Sequence, residues 1–184
     1  MAEGGYKIRD QAGMYFLTLT VVGWVDVFTR QVYRDQLLKG IRFHQEERGL
    51  SLHGWCLMSN HLHMISTSPS AGMSATLRDL KKYTSRRICD QIRDLAVESR
   101  RAWMLPVFSE AGKMNTRNQN YQFWKQDNRP KVIFSPWFAQ QKLNYIHQNP
   151  VKAGWVRKAE DYLYSSAQDY CVGRNCGLLK IDFI

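Results

Sequence analysis

The chain has 184 residues and a formal net charge of +10, with 26 Lys and Arg against 16 Asp and Glu. Hydrophobic residues make up 44% of it and charged residues 23%, which excludes a disordered or collagen-like chain. No apolar run approaches the roughly 18 residues of a membrane span. The positive charge indicates a polyanionic partner, either nucleic acid or an anionic surface.

The cysteines and the N-terminus predict a cytoplasmic protein. The four cysteines are scattered and form no CxxC pair, which is not the pattern of a disulfide scaffold. Residues 1–5 lack the basic and then apolar segments of a secretion signal. We therefore expect a protein that has no membrane partner.

The chain begins with a predicted strand and a predicted helix. Apolar residues alternate over 14–22, which indicates a strand. Apolar residues at helical spacing predict a helix over 31–48, which ends at Gly49.

A predicted hairpin follows. Its strands are predicted over 50–58 and 61–67, with a tight turn at Ser59-Asn60. Alternation would place four apolar residues of the first of these strands on one side: Leu50, Leu52, Cys56 and Met58.

The middle of the chain combines a basic helix with a less regular stretch. Residues 74–95 have the apolar spacing of an amphipathic helix. Residues 96–120 lack periodicity and are interpreted as a long basic loop, and 121–134 as a strand or a hairpin. The side chains predicted on the exposed face of the helix are Arg78, Lys81, Lys82, Arg86 and Arg87.

The last predicted helix begins at Ser135-Pro136, because Ser caps helices and Pro is tolerated in their first turn. Asn149-Pro150 should stop it near residue 148. The element order predicts an α+β protein: a ferredoxin-like or RRM-like antiparallel sheet with helices packed on one face. We expect a single domain over 1–184, with a basic loop insertion at about 96–120 and a C-terminal tail at about 157–184.

The positive charge is concentrated in the middle of the chain. Residues 74–132 carry +7 of the net +10. Aromatic residues are interleaved with cations over 113–131, a composition that suits single-stranded nucleic acid. The predicted nucleic-acid contacts are Arg78, Lys81, Lys82, Arg86, Arg87, Trp124 and Arg129.

Two groups of residues could carry chemistry. His61 and His63 alternate on a strand, so both imidazoles should point to one face and could share a metal ion. Tyr145 and Asn149 are four residues apart on the last helix and should share a face with Gln141. The neighbouring His147, rotated away from Tyr145, is predicted to face solvent or contact a phosphate.

Together these groups form a chemical hypothesis. A cation held by His61, His63 and the Asn149 carboxamide would keep positions open for a phosphate and act as a Lewis acid. Tyr145 lies one turn away, about 6 Å along the helix axis, and could attack the phosphorus. A phosphotyrosine link stores bond energy reversibly, which suits strand breakage and rejoining better than hydrolysis.

Two segments resemble a known family. Residues 56–65 read Cys-Leu-Met-Ser-Asn-His-Leu-His-Met-Ile and resemble the HUH strand (His, hydrophobic, His) of single-tyrosine HUH transposases. Residues 145–156 read Tyr-Ile-His-Gln-Asn-Pro-Val-Lys-Ala-Gly-Trp-Val and resemble the helix-end signature of the REP-associated tyrosine transposase branch. The resemblance spans about residues 14–170.

The resemblance implies a bacterial, nucleoid-associated enzyme that nicks and joins single-stranded DNA at hairpins formed by palindromic repeats. Tyr145 corresponds to its nucleophile, which forms a 5′-phosphotyrosine and frees a 3′-OH. His61, His63 and Asn149 correspond to ligands of Mg²⁺ or Mn²⁺. Monomer and homodimer both remain open. Ser59 departs from the family, which usually has Pro at this position.

Two other functions remain open from the residues. A non-catalytic single-stranded nucleic-acid-binding module of RRM-like fold would use the same charge and aromatic residues. A metal-dependent hydrolase would use the histidines, with Tyr145 in a structural role.

Overall fold

The computed structural model describes residues 7–115 and 120–184. None of its helices is long and apolar enough to cross a membrane. Its strands and helices, in chain order, are β1 (Tyr15–Thr20), α1 (Gln31–Glu47), β2 (Ser51–Leu57), β3 (His61–Thr67), α2 (Met73–Asp94), α3 (Arg101–Lys113), β4 (Lys131–Val132), α4 (Pro136–Lys152) and α5 (Ala167–Val172).

The four strands form one antiparallel sheet in the order β2-β3-β1-β4. The outer strands β2 and β4 are each reached through a helix or a long connection, while β1 and β3 pair in the centre. This order is that of the ferredoxin-like fold. The predicted fold class is therefore confirmed.

Side-chain alternation along β1 divides the core into two parts. Tyr15, Leu17 and Leu19 face the larger core, which α1 and α2 cover. Phe16 belongs to a smaller core on the other face, together with Leu143 of α4. Two helices thus pack on one face as predicted, and α4 packs on the opposite face.

The predicted face of β2 is wrong beyond its first residues. Leu52 lies in the larger core, whereas Cys56 lies in the smaller one. The register with β3 shifts between Leu52 and Gly54, so His53 is an extra residue. A bulge of this kind reverses the alternation of every residue that follows it.

The loop predicted over 96–120 is wrong for residues 101–113, which form α3. Met104 and Phe108 are both buried, one turn apart, and anchor α3 against the larger core. This short apolar row carries little periodicity, and Pro106 inside the helix is a residue that normally opposes one. Residues 116–119 of the predicted loop lie outside the described residues.

The predicted start of α4 is confirmed, and its predicted stop is wrong. Ser135 Oγ accepts a hydrogen bond from the Phe138 N–H at 3.2 Å, as a cap should. The helix continues through Pro150 to Lys152. Pro150 lacks the N–H that would bond the Ile146 carbonyl, and Asn149 Nδ2 lies 3.4 Å from that oxygen as a partial substitute.

The segment predicted as a strand or hairpin over 121–134 lies along the outer edge of β1. Only Lys131 and Val132 form a regular strand there, and Trp124 makes an isolated bridge with Val21. On the opposite edge, Ser165 bridges Cys56 of β2. The C-terminal tail thus covers an edge that would otherwise expose unpaired backbone groups.

Glu98 links the start of α3 to α1. Its side chain is fully buried and accepts hydrogen bonds from Tyr33 Oη at 2.7 Å and from Arg100 Nε at 3.0 Å. Arg30 Nε lies 2.9 Å from the same carboxylate. Burial alone would raise the pKa of Glu98, but the hydrogen bonds from Arg100 and Tyr33 outweigh burial and lower it to about 2.

We expect Glu98→Gln to lower the free energy of unfolding at neutral pH by about 2–3 kcal/mol, because it leaves two half-buried arginines without their carboxylate and weakens a buried hydrogen-bond network. The folded pKa lies below that of an unfolded glutamate. Glu98 therefore stabilises the protein above about pH 4.5, and this stabilisation is lost between about pH 4.5 and 2. Urea unfolding against pH measures both effects.

The exposed Glu47→Gln is the matched control and should leave the stability at neutral pH unchanged. An unchanged stability of Glu98→Gln at neutral pH would contradict the assignment.

Candidate active site

A cavity of about 410 Å³ lies on the sheet face that α4 covers. Its floor is the polar end of the two central strands, and α4 and the loops beside β1 form its walls. The residues that line it are Phe16, Thr18, Thr20, Trp24, His61, His63, Arg129, Lys131, Lys142, Tyr145 and Asn149.

His61 and His63 lie on β3 with their rings on the cavity side, as the strand alternation predicts. Their ring centroids are 4.7 Å apart. His61 Nδ1 donates a hydrogen bond to Asn60 Oδ1 at 2.7 Å, because the Asn60 amide nitrogen is itself a donor to Asp26 and the Trp24 carbonyl. This bond leaves the lone pair of neutral His61 on Nε2.

Both imidazoles are held neutral near pH 7. Burial lowers the pKa of His61. Burial and the neighbouring His61 lower the pKa of His63 to about 3. His63 Nδ1 lies 3.0 Å from Thr18 Oγ1, so its ring is fixed by a hydrogen bond on that side. A neutral ring with one nitrogen anchored is the form in which histidine binds a metal.

Tyr145 and Asn149 lie on the face of α4 that closes the cavity. Leu143 packs against β2 at Gly54, where a Cβ atom would come within 2.5 Å of Leu143 Cδ1. Gly54 therefore allows the close approach that brings Tyr145 to the histidines. The Tyr145 ring is 5.3 Å from that of His63, and the side chain is 42% exposed.

The donors in the cavity fit a divalent cation. Within the described residues, no group of three His, Cys, Asp or Glu side chains could hold a metal ion. A three-ligand centre here therefore needs the Asn149 amide. Asn149 Nδ2 donates to the Tyr145 carbonyl at 2.7 Å, so Oδ1 is the amide atom that could bind a cation. Two imidazoles and one amide oxygen suit Mn²⁺ or Zn²⁺ at least as well as Mg²⁺.

The cations at the cavity come from elements other than the basic helix. Of the predicted DNA contacts, Arg129 lines the cavity. Lys131 and Lys142 also line it, and the Lys142 Nζ lies 5.8 Å from the centre of the Tyr145 ring. Burial, and then the nearby Lys131, lower the pKa of Lys142. Gln141, predicted to share a face with Tyr145, does not line the cavity.

The basic face of α2 lies on the other side of the sheet. None of its five predicted contacts lines the cavity. Four are exposed, but Lys81 is not, which corrects the prediction. Its Nζ donates to the Lys125 carbonyl at 2.6 Å and to Asn128 Oδ1 at 2.7 Å, and burial lowers its pKa to about 8. Lys81 thus holds the loop beside β1, and its predicted place on the exposed face is wrong.

Two further predictions are wrong because the side chains are buried. Trp124 is only 4% exposed, stacks on Phe28 and donates its indole N–H to Thr84 Oγ1, so it cannot stack on a base. His147 is buried as well, with its Nε2 2.8 Å from Ser166 Oγ, so it neither faces solvent nor contacts a phosphate. It fixes the C-terminal tail against α4.

The cations at this cavity form a basic patch, which is the electrostatic footprint of nucleic-acid binding. The family model described as IS200-like transposase matches residues 14–126, more than half of the chain. The chain therefore belongs to the IS200-like transposase family, as the resemblance implied. The match includes His61 and His63 and ends before α4.

The comparison with solved structures agrees. The structure of a REP-associated tyrosine transposase bound to a REP hairpin matches with a TM-score of 0.62 and 19% sequence identity. The match covers 100% of this chain and 94% of that one. At this identity the likeness shows the fold. No curated protein sequence matches the chain.

Proposed function

We propose that this protein cleaves and rejoins single-stranded DNA at hairpins formed by palindromic repeats, through a 5′-phosphotyrosine on Tyr145. The observation that carries the proposal is the meeting of Tyr145, Asn149, His61 and His63 at one basic cavity. Family membership and the hairpin bound by the structural neighbour support the substrate class. The proposal implies a nucleoid-associated protein of the bacterial cytoplasm, active as a monomer or a homodimer.

The reaction is a transesterification. The Tyr145 oxygen attacks the scissile phosphorus, a new P–O bond forms, and the bond to the 3′ oxygen breaks. The phenol proton leaves to solvent and the released 3′ oxygen takes a proton. A 3′-OH from another strand then attacks the phosphotyrosine and restores Tyr145. The number of phosphodiester bonds is conserved, so rejoining needs no external energy source.

The side chains around Tyr145 would bind the metal ion, supply positive charge and hold the tyrosine ring in place. His61, His63 and Asn149 Oδ1 would hold the metal ion, Mg²⁺ or Mn²⁺, which supplies Lewis-acid chemistry to the scissile phosphate. Lys142 places a positive charge near the phenol, where it would stabilise the phenolate that forms when Tyr145 loses its proton. Phe16 contacts both the Tyr145 and the His63 rings and fixes their relative position.

The alternative of a non-catalytic RRM-like module has less support. Such a module presents an open sheet face with aromatic residues to the bases. Here α4 covers part of the face opposite α1 and α2, and the aromatic residue predicted to stack, Trp124, is buried.

A denaturing gel tests the proposal. Protein, Mn²⁺ and a 3′-end-labelled DNA hairpin with a single-stranded flank, taken from repeats beside the gene, should give a labelled species of protein size that survives denaturation. The label must be at the 3′ end because a 5′-phosphotyrosine retains the 3′ part of the cleaved strand. EDTA should abolish the labelled species. Cleavage that releases free 5′-phosphate ends without an adduct would favour the hydrolase, and binding without cleavage would favour the module.

A further inference from the structure

Trp24 is an exposed aromatic residue at the cavity that the proposed chemistry does not use. Its side chain is 54% exposed, whereas the buried Trp55 and Trp124 are 0% and 4% exposed. It lines the cavity beside His61, with ring centroids 6.3 Å apart. Because this ring is exposed at a cavity, it adds little to the core of the protein, and an exposed apolar surface in a groove often marks a binding site.

The backbone holds Trp24 in an unfavourable conformation. In the described residues, only Trp24 (φ 56°) and Arg129 (φ 43°) are non-glycine residues with positive φ. Both line the same cavity. A bulky residue in the left-handed region costs about 1–3 kcal/mol, and such strain clusters at functional sites, where the surroundings enforce it.

A side chain that holds the Trp24 backbone also orients His61. Asn60 Nδ2 donates to the Trp24 carbonyl at 3.2 Å, while Asn60 Oδ1 accepts from His61 Nδ1. One amide therefore links the Trp24 backbone to the His61 imidazole. Gly23, itself at φ 63°, provides the turn that swings Trp24 out of the core.

Two cations lie near this part of the cavity: Lys125 beside Trp24, and the strained Arg129 itself. The Lys125 Nζ lies over one face of the Trp24 ring, 4.2 Å from its centre, so a base would stack on the opposite face. The Arg129 guanidinium makes no ion pair with any residue in the described part of the chain. An aromatic face with cations beside it is the combination that binds a nucleotide of a single strand, with the base on the ring and the phosphates on the cations.

We propose that Trp24 is the stacking platform for one base of the bound single strand, and that Arg129 binds a phosphate of the same strand. The place of this base next to the scissile phosphate rests on the proposed function. The stacking itself does not, because it needs only a single strand in the cavity.

The test separates base stacking from charge. Binding of the full chain in EDTA is measured by fluorescence anisotropy with two labelled probes of equal length, about 12 nucleotides. One probe is oligothymidylate, and the other is an abasic deoxyribose-phosphate strand of the same charge. We divide the dissociation constant of the abasic strand by that of oligothymidylate. This ratio reports base stacking, since the phosphate contacts are common to both probes.

Trp24→Asn should lower this ratio by about 10-fold, because stacking of a base on an aromatic ring is worth about that factor or more. Asn tolerates positive φ, and Trp24→Gly repeats the measurement at no backbone cost if the Asn variant fails to fold. Trp24→Phe should retain most of the ratio. The matched control is Trp103→Asn on α3, which removes a similarly exposed ring outside the cavity and should leave the ratio unchanged.

Arg129→Gln should weaken the binding of both probes by a similar factor, so that the ratio is unchanged. It should also reduce the slope of log affinity against log salt concentration by about 1. An unchanged ratio in the folded Trp24→Asn or Trp24→Gly protein overturns the stacking assignment. Unchanged affinity and salt slope in Arg129→Gln overturn the phosphate assignment.

The outcome is independent of cleavage. If substitution of Trp24 lowers the ratio but no covalent adduct forms with any cognate hairpin, the proposed function fails and the nucleotide subsite stands. If the adduct forms and substitution of Trp24 leaves the ratio unchanged, the subsite fails and the proposed function stands.

Discussion

Tyr145→Phe is expected to remove the covalent protein–DNA adduct and to slow strand cleavage by at least about 1,000-fold, because loss of a nucleophile removes the reaction path itself. The substitution deletes only the hydroxyl and keeps the ring contacts with Phe16 and His63. Since the Tyr145 side chain is 42% exposed, the free energy of unfolding should change by less than about 0.5 kcal/mol. A denaturing gel and a urea titration measure the two effects.

Tyr83→Phe is the matched control. It removes a tyrosine hydroxyl from α2, on the opposite side of the sheet, where that hydroxyl accepts a hydrogen bond from Gln36. It should leave adduct formation unchanged. Adduct at the wild-type level in Tyr145→Phe would show that another group attacks the phosphorus.

His63→Ala is expected to lower Mn²⁺ affinity by at least about 100-fold and cleavage by about 1,000-fold. The reason is that His63 supplies one of only two imidazoles at the cavity, and an amide oxygen alone cannot replace it. Isothermal titration of Mn²⁺ into the DNA-free protein measures the first effect without reference to activity. Binding of single-stranded DNA in EDTA should change by less than about 3-fold, since the cations at the cavity remain.

His53→Gln serves as the control for a buried histidine in the same sheet. His53 bonds Asp182 and Thr67 and lies outside the cavity. The His53→Gln variant should bind Mn²⁺ with the same affinity as the wild type. Equal Mn²⁺ affinity in His63→Ala and the wild type would mean that the metal binds elsewhere or not at all.

Local periodicity was enough to predict the elements that carry the site. Two-residue alternation on β3 placed His61 and His63 on one face, and four-residue spacing on α4 placed Tyr145 and Asn149 together. These predictions succeeded because both depend only on regular backbone geometry. The cavity itself needed one more feature, the close approach of α4 to Gly54, which no local pattern reveals.

The errors arose where tertiary contacts override local pattern. The bulge at His53 reverses the faces of β2, and a single extra residue leaves no signal in the alternation. Trp124 and Lys81 looked like surface residues of a basic segment, yet one is buried and the other holds a loop. Composition gives the charge of a segment but not the direction in which each side chain points.

Trp24 and Lys142 were missed for a related reason. Trp24 follows a predicted strand in an apolar segment, where a tryptophan is normally a core residue. Its exposure depends on the left-handed turn at Gly23, which a Gly-Trp pair does not predict by itself. Lys142 precedes Tyr145 by three residues, and that spacing indicated the shared face without indicating a role.

Mapping the covalent adduct tests the central claim most directly. The adduct trapped with Mn²⁺ and a repeat hairpin is digested with a protease and a nuclease, and the modified peptide is sequenced by mass spectrometry. We predict a single nucleotide joined through its 5′ phosphate to Tyr145. A nucleotide on any other residue, or free 5′-phosphate ends with no modified peptide, would contradict the account.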